Sequence, residues 1–190
     1  MTTSVSNRLV LITEEQYAVE IDMAYATNNN CTGKSIYKSS DCYLHPVAAQ
    51  GLKRASELLK SLNMKLKVWD TFRPLAAQAE LFKFMPDPNY VSHPKTGRRP
   101  HCRGVAMDLT ITDRYGHELD MGTEFDDFRP LAHHGNDQIS QEAQRNRLLL
   151  AGVMNIAGFE TIDTEWWHYQ LPNLTSYPII QHDEMPEGIM

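Results

Sequence analysis

The sequence contains few cysteines, and their spacing excludes two common kinds of site. Only Cys31, Cys42 and Cys102 occur among 190 residues, and no two of them form a C-x-x-C pair. An odd count without that spacing argues against a disulfide framework and against a thiolate zinc site. Cys31 and Cys42 border a polar loop and could pair in an oxidising compartment, although three free thiols are the simpler interpretation.

Long apolar runs and a surplus of positive charge are also absent. No stretch is long enough to span a bilayer, so we expect no membrane partner. A net charge of −6 argues against a nucleic-acid partner, because binding to phosphates needs a basic face. Residues 1–8 lack the pattern of a signal peptide, which predicts a cytoplasmic protein, or a periplasmic one if such a peptide was removed.

What the sequence does contain is the composition of an ordinary globular domain. Hydrophobic residues make up 42% of the chain and charged residues 22%, and there is no repeat or low-complexity tract. This composition predicts one domain over residues 1–190, with a C-terminal tail on the surface from about residue 173 to residue 190. The sequence leaves the oligomeric state open, a homo-oligomer included.

Hydrophobic periodicity and capping residues predict helices and strands in mixed order. Helices are predicted from Pro46 to about Leu62, from Pro74 to about Phe84, and from Ser140 to Ala157 before Gly158. Strands are predicted over Met64–Asp70, from Gly104 onward, over Phe159–Ile162 and over Trp166–Leu171. Such an order is typical of an α+β fold in which helices flank a central, largely antiparallel sheet.

Two histidines and one aspartate on this framework form a candidate metal site. His101 and Asp108 lie at the mouth and in the middle of the strand after Gly104, and His168 lies on a later strand that could pair nearby. Alternation along the strand places Asp108 on the face opposite the apolar residues. Imidazole and carboxylate groups suit Zn²⁺, and three protein ligands leave a fourth position for water. The pattern predicts a zinc site at the sheet, in a cleft.

Glu165 lies three residues before His168, which is close enough for a general base in hydrolysis. Positions i and i+3 of an ideal strand face opposite sides, so Glu165 must lie at a bend or bulge where its strand begins. Spacing alone leaves alternatives open. His133 and His134 could equally be ligands, and an H-x6-D pattern by itself is weak.

A set of motifs, in order along the chain, extends the pattern beyond the candidate ligands. The motifs nearest the site are Trp69-Asp70-Thr-Phe-Arg73-Pro74, His101-x-x-Gly-x-Ala-x-Asp108 and Glu165-Trp-Trp-His168. The others are Tyr25-Ala-Thr, Thr32-Gly-Lys, Met121-Gly-x-x-Phe-Asp126 and Ala143-Gln-Arg-Asn-Arg147. Together they resemble the zinc-dependent D-alanyl-D-alanine dipeptidases associated with vancomycin resistance, over roughly residues 20–172.

The resemblance implies a metallopeptidase that cleaves D-Ala-D-Ala, a small dipeptide connected with the peptidoglycan of the cell wall. It implies one zinc ion per chain, held by His101, Asp108 and His168, with Glu165 as the general base. It further implies that Arg73 stabilises the oxyanion, a role that suits a guanidinium group, and that Asp70 positions this arginine. Without the resemblance, Arg73 could equally be a salt-bridged arginine and Asp70 a helix N-cap.

Substrate recognition is implied for Asp126 and Tyr25, which would bind the free ammonium group of a dipeptide. The alternative activity is that of a zinc D,D- or L,D-carboxypeptidase acting on peptidoglycan stem peptides, and without the resemblance Asp126 could be a turn residue. The family commonly carries Ser two residues before the first zinc histidine, where this chain has Arg99. Arg99 could bind the substrate carboxylate bidentately or point to solvent.

Overall fold

The fold is that of a computed structural model, which describes residues 9–190; the prediction made on residues 1–8 lies outside this range. The strands are β1 (Val10–Ile12), β2 (Glu20–Ile21), β3 (Cys42–Leu44), β4 (Lys65–Asp70), β5 (Ala106–Thr112), β6 (Glu160–Ile162) and β7 (Glu165–Gln170). The helices are α1 (Glu14–Tyr17), α2 (Pro46–Lys60), α3 (Leu75–Phe84) and α4 (Gln141–Ala157). Within residues 9–190, no helix has the length and apolar character needed to cross a membrane.

A five-stranded sheet with the order β2-β4-β5-β7-β6 forms the centre of the molecule. The short β2 runs parallel to β4, and all other neighbouring strands in this sheet are antiparallel. A separate two-stranded antiparallel sheet joins β1 and β3. The predicted α+β fold with a largely antiparallel sheet is therefore confirmed, and the parallel edge strand is a feature that the pattern did not indicate.

The long helices begin and end close to where their capping residues predict. The Ser140 hydroxyl accepts a hydrogen bond from the Ala143 N–H at the start of α4, and Gly158 ends the helix with a φ of 104°. Pro46 occupies the first turn of α2, whose buried face includes Leu52 and Leu59. This helix ends at Lys60, two residues before the predicted end.

Strand β5 lies between β4 and β7, and all seven of its residues are buried. Apolar and polar side chains alternate between the two faces of this strand, as predicted. The face carrying Asp108 and Thr110 is nevertheless as buried from solvent as the apolar face. Asp108 pairs with Asp70 of β4 on one side and with His168 of β7 on the other. The register thus brings these three residues of distant segments into one row across the sheet.

The turn between β6 and β7 places Glu165 at the first position of β7. The chain reverses at Asp163 and Thr164, and the pairing shifts register between Thr161 and Ile162, so that Ile162 lies opposite Glu165. The irregularity expected from the three-residue spacing to His168 is present at this point.

The segment from residue 173 to residue 190 contacts the rest of the molecule at several points. Ile180 and Ile189 are buried and pack in a small cluster with Phe72, which adjoins Arg73. The Ile180 N–H donates to the Cys102 carbonyl oxygen (3.0 Å), and the Ile189 carbonyl accepts from the Lys38 N–H (3.1 Å). The tail therefore supports the backbone behind the candidate site.

Candidate active site

Three buried ligand atoms converge at the middle of the sheet. The Nε2 atom of His101 lies 3.1 Å from Nδ1 of His168 and 3.4 Å from Oδ1 of Asp108. The distance between Nδ1 of His168 and Oδ1 of Asp108 is 3.0 Å. Tetrahedral zinc with bond lengths of about 2.0–2.1 Å separates its ligand atoms by about 3.3 Å. The triangle formed by these three atoms therefore has the size of one face of a zinc coordination tetrahedron.

The outward nitrogens of both histidines have their own partners. Nδ1 of His101 lies 2.8 Å from the Thr71 carbonyl oxygen, and Nε2 of His168 lies 3.2 Å from Oε1 of Gln170. Both partners are hydrogen-bond acceptors, so these contacts assign the ring protons to the outward nitrogens. Each histidine then directs a lone pair toward the carboxylate of Asp108. Three electron-pair donors facing one another fit a bound cation, with the supporting hydrogen bonds usual for metal-ligating histidines.

The charges around Asp108 favour its ionised form. Burial raises the pKa of this carboxyl, but positive charge and hydrogen bonds from His101 and His168, in the form that these rings take when no cation lies between them, lower the pKa well below the ordinary range. A carboxylate rather than a carboxylic acid is therefore present at the cluster, as metal coordination requires.

Glu165 lies at the edge of the cluster without belonging to it. Its Oε2 is 3.9 Å from Nδ1 of His168, and only 6% of the residue is exposed. Burial, and then the carboxylates of Asp108 and Asp126, raise its pKa well above the ordinary value. A cation held by the neighbouring ligands would oppose this effect. The side chain is thus placed to exchange a proton beside the cluster.

Arg73 approaches the same cluster from the loop between β4 and α3. Its Nη2 lies 2.7 Å from Oδ2 of Asp70 and 3.5 Å from Oδ2 of Asp108, and its Nη1 donates to Oε1 of Gln78 (3.2 Å). Asp70 is fully buried and also accepts a hydrogen bond of 2.7 Å from the Tyr37 hydroxyl. The guanidinium group is consequently held in one orientation, with Asp70 behind it.

Asp126 and Tyr25 form a second polar group in the cavity. The Tyr25 hydroxyl lies 3.0 Å from both carboxylate oxygens of Asp126, and the Cys31 N–H donates to Oδ2 at 3.4 Å. Asp126 adopts a left-handed backbone conformation with φ of 59°. Burial, opposed in part by the Cys31 and Tyr25 contacts, raises the pKa of its carboxyl to about 6. Within residues 9–190 this half-buried carboxylate has no cationic partner in an ion pair, and such a group suits a ligand carrying positive charge.

One cavity of about 130 Å³ is lined by His101, Asp108, His168, Glu165, Arg73, Tyr25 and Asp126, whereas Asp70, Tyr37 and Thr71 lie behind its lining. This volume is smaller than the roughly 300–1,000 Å³ typical of pockets for drug-sized ligands, which favours a small substrate. The metal-ligand candidates, Glu165, Arg73, Tyr25 and Asp126 are therefore brought together. Arg99 is not, because its Nε donates to the Gly97 carbonyl (2.8 Å) and its Nη1 to the Pro94 carbonyl (2.9 Å).

Several residues of the site carried no recognisable signal in the sequence. Gln78 is buried on α3 and links Arg73 to the Ser92 carbonyl, while Gln170 holds His168. Tyr37 and Cys31 come from the polar segment after Tyr25. This segment takes part in the site only through contacts with residues that are distant in sequence. Amide and hydroxyl side chains have many structural uses. Neither the residue type nor the spacing of these residues could therefore have identified them as part of the site. All three cysteines are free thiols, as the sequence favoured.

The fold and the cavity define a metallopeptidase-type site, in which a buried His-Asp-His cluster that can hold a metal ion adjoins a carboxylate and a guanidinium group. Comparison with known proteins gives the family. Residues 5–185 match the peptidase M15 family, described as D-ala-D-ala dipeptidase. The chain belongs to this family of metallopeptidases.

Individual relatives agree with the family match. A protein of Escherichia coli (strain K12) is 41% identical over 162 residues, which cover 85% of this chain and 83% of the relative. One from Enterococcus faecium is 31% identical over 175 residues, covering 82% of this chain and 87% of the relative. One from Enterococcus faecalis is 29% identical over 185 residues, covering 87% and 92%. Each relative is named D-alanyl-D-alanine dipeptidase.

Proposed function

We propose that this protein is a zinc-dependent dipeptidase that hydrolyses D-Ala-D-Ala. The observation that carries the proposal is the meeting of the His101-Asp108-His168 cluster, Glu165 and Asp126 in one small cavity. Membership of the M15 family and the printed names of the relatives support it.

His101, Asp108 and His168 would hold one zinc ion, in a ligand set that leaves a coordination position free. When bound, zinc supplies a Lewis acid that polarises a peptide carbonyl and lowers the pKa of a water molecule. The outward hydrogen bonds of the two histidines, to Thr71 and Gln170, maintain the tautomers that this role needs. Asp108 contributes the negative charge that holds the cation in a buried place.

Glu165 acts as the general base. Its carboxylate accepts a proton from the attacking water and returns it to the nitrogen of the leaving amino acid. The carboxylate is buried and 3.9 Å from Nδ1 of His168, so it is near the reacting atoms without displacing a ligand. Burial raises the pKa of Glu165 in the absence of a metal, and a cation held by the neighbouring ligands would lower it again, so that the carboxylate could accept the proton.

Arg73 donates hydrogen bonds to the carbonyl oxygen of the scissile bond as negative charge develops there. Asp70 is a positioning residue, because it contacts the guanidinium group and has no place in the cavity lining. Its hydrogen bond from Tyr37 and its complete burial fix the arginine before substrate arrives.

Asp126 recognises the free ammonium group of the substrate, and Tyr25 orients its carboxylate. A dipeptide supplies a positive charge at this position, whereas a blocked longer peptide would leave the buried carboxylate unpaired. This difference favours dipeptidase activity over that of a zinc D,D- or L,D-carboxypeptidase.

We expect the protein to act in the cytoplasm, with the periplasm as the alternative compartment.

A coupled measurement tests the proposal. Metal content is determined by elemental analysis, and release of D-alanine from D-Ala-D-Ala is followed with and without a chelator. We expect about one zinc per chain and activity that the chelator abolishes and added zinc restores. Efficient cleavage of an N-acetylated tripeptide ending in D-Ala-D-Ala would instead support the carboxypeptidase. Absence of hydrolysis by the zinc-loaded protein would indicate a binding protein.

A further inference from the structure

The cavity carries an arginine that the proposed mechanism does not use. Two arginines line the cavity, Arg73 and Arg98. Arg73 is committed to Asp70, but the side chain of Arg98 is exposed and has no hydrogen-bond or ion-pair partner within residues 9–190. Arg98 is therefore an available positive charge at the rim of a cavity whose other charged lining residues include three acids.

The loop that presents Arg98 is braced from both sides. The Arg99 guanidinium donates to the carbonyls of Gly97 and Pro94, and the Arg99 N–H donates to Oγ of Ser92 (3.0 Å). On the other side, Nε of Arg103 donates to the Arg98 carbonyl oxygen (2.9 Å). The backbone at Arg98 is thus held at a defined place although its side chain is free to move.

Tight packing within the loop adds to this bracing. A Cβ atom at Gly97 would lie 2.4 Å from Oγ of Ser92 and 2.6 Å from the His93 nitrogen, so a larger residue would force the loop apart. Arg99 itself has a left-handed φ of 50°, which turns its side chain back along the loop. Arg99 therefore stabilises the loop through its own hydrogen bonds, and Arg98 is the residue of the pair that lines the cavity.

The charges of the cavity match the two ends of a free dipeptide. Asp126 lies with Tyr25 and Cys31, and Arg98 lies on a different segment, three residues before His101. A dipeptide carries an ammonium group and a carboxylate with its only peptide bond between them. A carboxylate is a favoured partner of a guanidinium group, which can bind both of its oxygens.

We propose that Arg98 binds the terminal carboxylate of the dipeptide substrate and that Arg99 is a positioning residue that maintains the loop presenting it. This inference rests on the proposed function, since it concerns the substrate of the same cavity. It assigns selectivity for a free C-terminus to a residue of the loop before His101.

Arg98→Ala tests the assignment with a matched pair of substrates. For D-Ala-D-Ala, we expect KM to rise about 10- to 100-fold with little change in kcat, because a charged hydrogen-bonding partner of the bound substrate is lost. For the C-terminal amide of the same dipeptide, we expect Arg98→Ala and the unaltered protein to have the same KM. Arg54→Ala, which removes an exposed charge from α2, controls for the change in net charge.

Arg99→Ala distinguishes a positioning role from direct contact. We expect it to raise KM for D-Ala-D-Ala in the same direction, and the double variant Arg98→Ala/Arg99→Ala to be no worse than Arg98→Ala alone. Additive effects would show that Arg99 acts independently of Arg98 and would overturn its assigned role.

The outcomes separate this inference from the function on which it rests. If the unaltered, zinc-loaded protein does not hydrolyse D-Ala-D-Ala, the proposed function fails and the assignment of Arg98 fails with it. If Arg98→Ala is active with an unchanged KM, or if KM rises equally for the dipeptide and its amide, the assignment alone is overturned.

Discussion

The two halves of the cavity are built from different kinds of structure. The ligand half consists of His101, Asp108, Glu165 and His168, three of which lie on β5 and β7 in the middle of the sheet. The recognition half consists of Tyr25, in the single turn of 3₁₀ helix over Ala24–Ala26, and of Arg98 and Asp126, which lie in a loop and a turn. Paired strands hold reacting groups within the narrow geometry that chemistry needs, whereas loops can change without disturbing the core.

Hydrogen bonds show the same contrast. Each histidine of the ligand half is fixed by a second, buried partner, and Asp108 lies opposite His168 in the strand register. In the recognition half, Asp126 depends on contacts from the Tyr25–Cys31 segment, and the Arg98 side chain makes no hydrogen bond or ion pair within the described part of the chain. Substitutions in the ligand half should therefore affect kcat or metal affinity, and those in the recognition half should affect KM and selectivity.

The largest effect is expected from Glu165→Ala, in the ligand half. Loss of the general base should lower kcat by about 10²- to 10⁴-fold, and zinc content should remain that of the unaltered protein. Steady-state kinetics and elemental analysis measure the two quantities. Glu160→Ala, which removes an exposed carboxylate from neighbouring β6, is the matched control and should retain activity. Unchanged turnover in Glu165→Ala would rule out the proposed base.

A stability measurement on Asp126→Asn tests the recognition half. Burial raises the pKa of this carboxyl from 3.8 to about 6, so the folded state binds more protons than the unfolded state between these values. The contribution of Asp126 to the free energy of unfolding should therefore fall by on the order of 3 kcal/mol as pH rises from about 4 to 6, in addition to the loss that the raised pKa of Glu165 produces. Asp126→Asn should lack this loss and be the more stable protein at pH 7.

Urea denaturation at several pH values, with a chelator present, measures this difference without a contribution from metal binding. Asp127→Asn is the matched control. Asp127 pairs with Arg129, which lowers its pKa, so this variant should keep the loss of stability between pH 4 and 6. A pH dependence in Asp126→Asn equal to that of the unaltered protein would contradict the assigned burial of a charged group.

A smaller effect is expected from Gln170→Leu, which removes the partner of His168 but no metal ligand. Loss of such a supporting hydrogen bond should weaken zinc affinity by about 10- to 100-fold, while kcat at saturating zinc changes little. Competition with a chromophoric chelator measures the affinity. Gln50→Leu, at an exposed position of α2, should leave it unaltered. Equal affinity in the two variants would mean that Gln170 does not support the ligand.

Much of the framework could be predicted from local signals. Ser140 and Gly158 mark the ends of α4 because a hydroxyl cap and a left-handed residue act within one helical turn. The bend at Glu165 follows from the geometry of a strand and a three-residue spacing. The parallel edge strand β2 has only two residues and depends on pairing with β4, far along the chain, so no local pattern indicated it.

The candidate site was predictable to the extent that its residue types are chemically specific. Histidine, aspartate and glutamate in a motif can be recognised, and the structure brings His101, Asp108, His168 and Glu165 into one cavity. Gln78, Gln170 and Tyr37 could not be recognised, because each acts through hydrogen bonds to groups that only the fold brings near it. The sequence offers Arg99 as a possible carboxylate ligand, but in the structure its side chain donates hydrogen bonds to carbonyls of its own loop.

By itself, the sequence determined the class of chemistry, the approximate helices and strands, and the residues able to bind a metal, because these depend on residue type and short-range periodicity. Only the tertiary structure decided that Asp108 lies opposite His168, that both faces of β5 are buried, and that Arg98 rather than Arg99 reaches the cavity. These features depend on strand register and loop closure, which are set by packing between residues far apart in the chain.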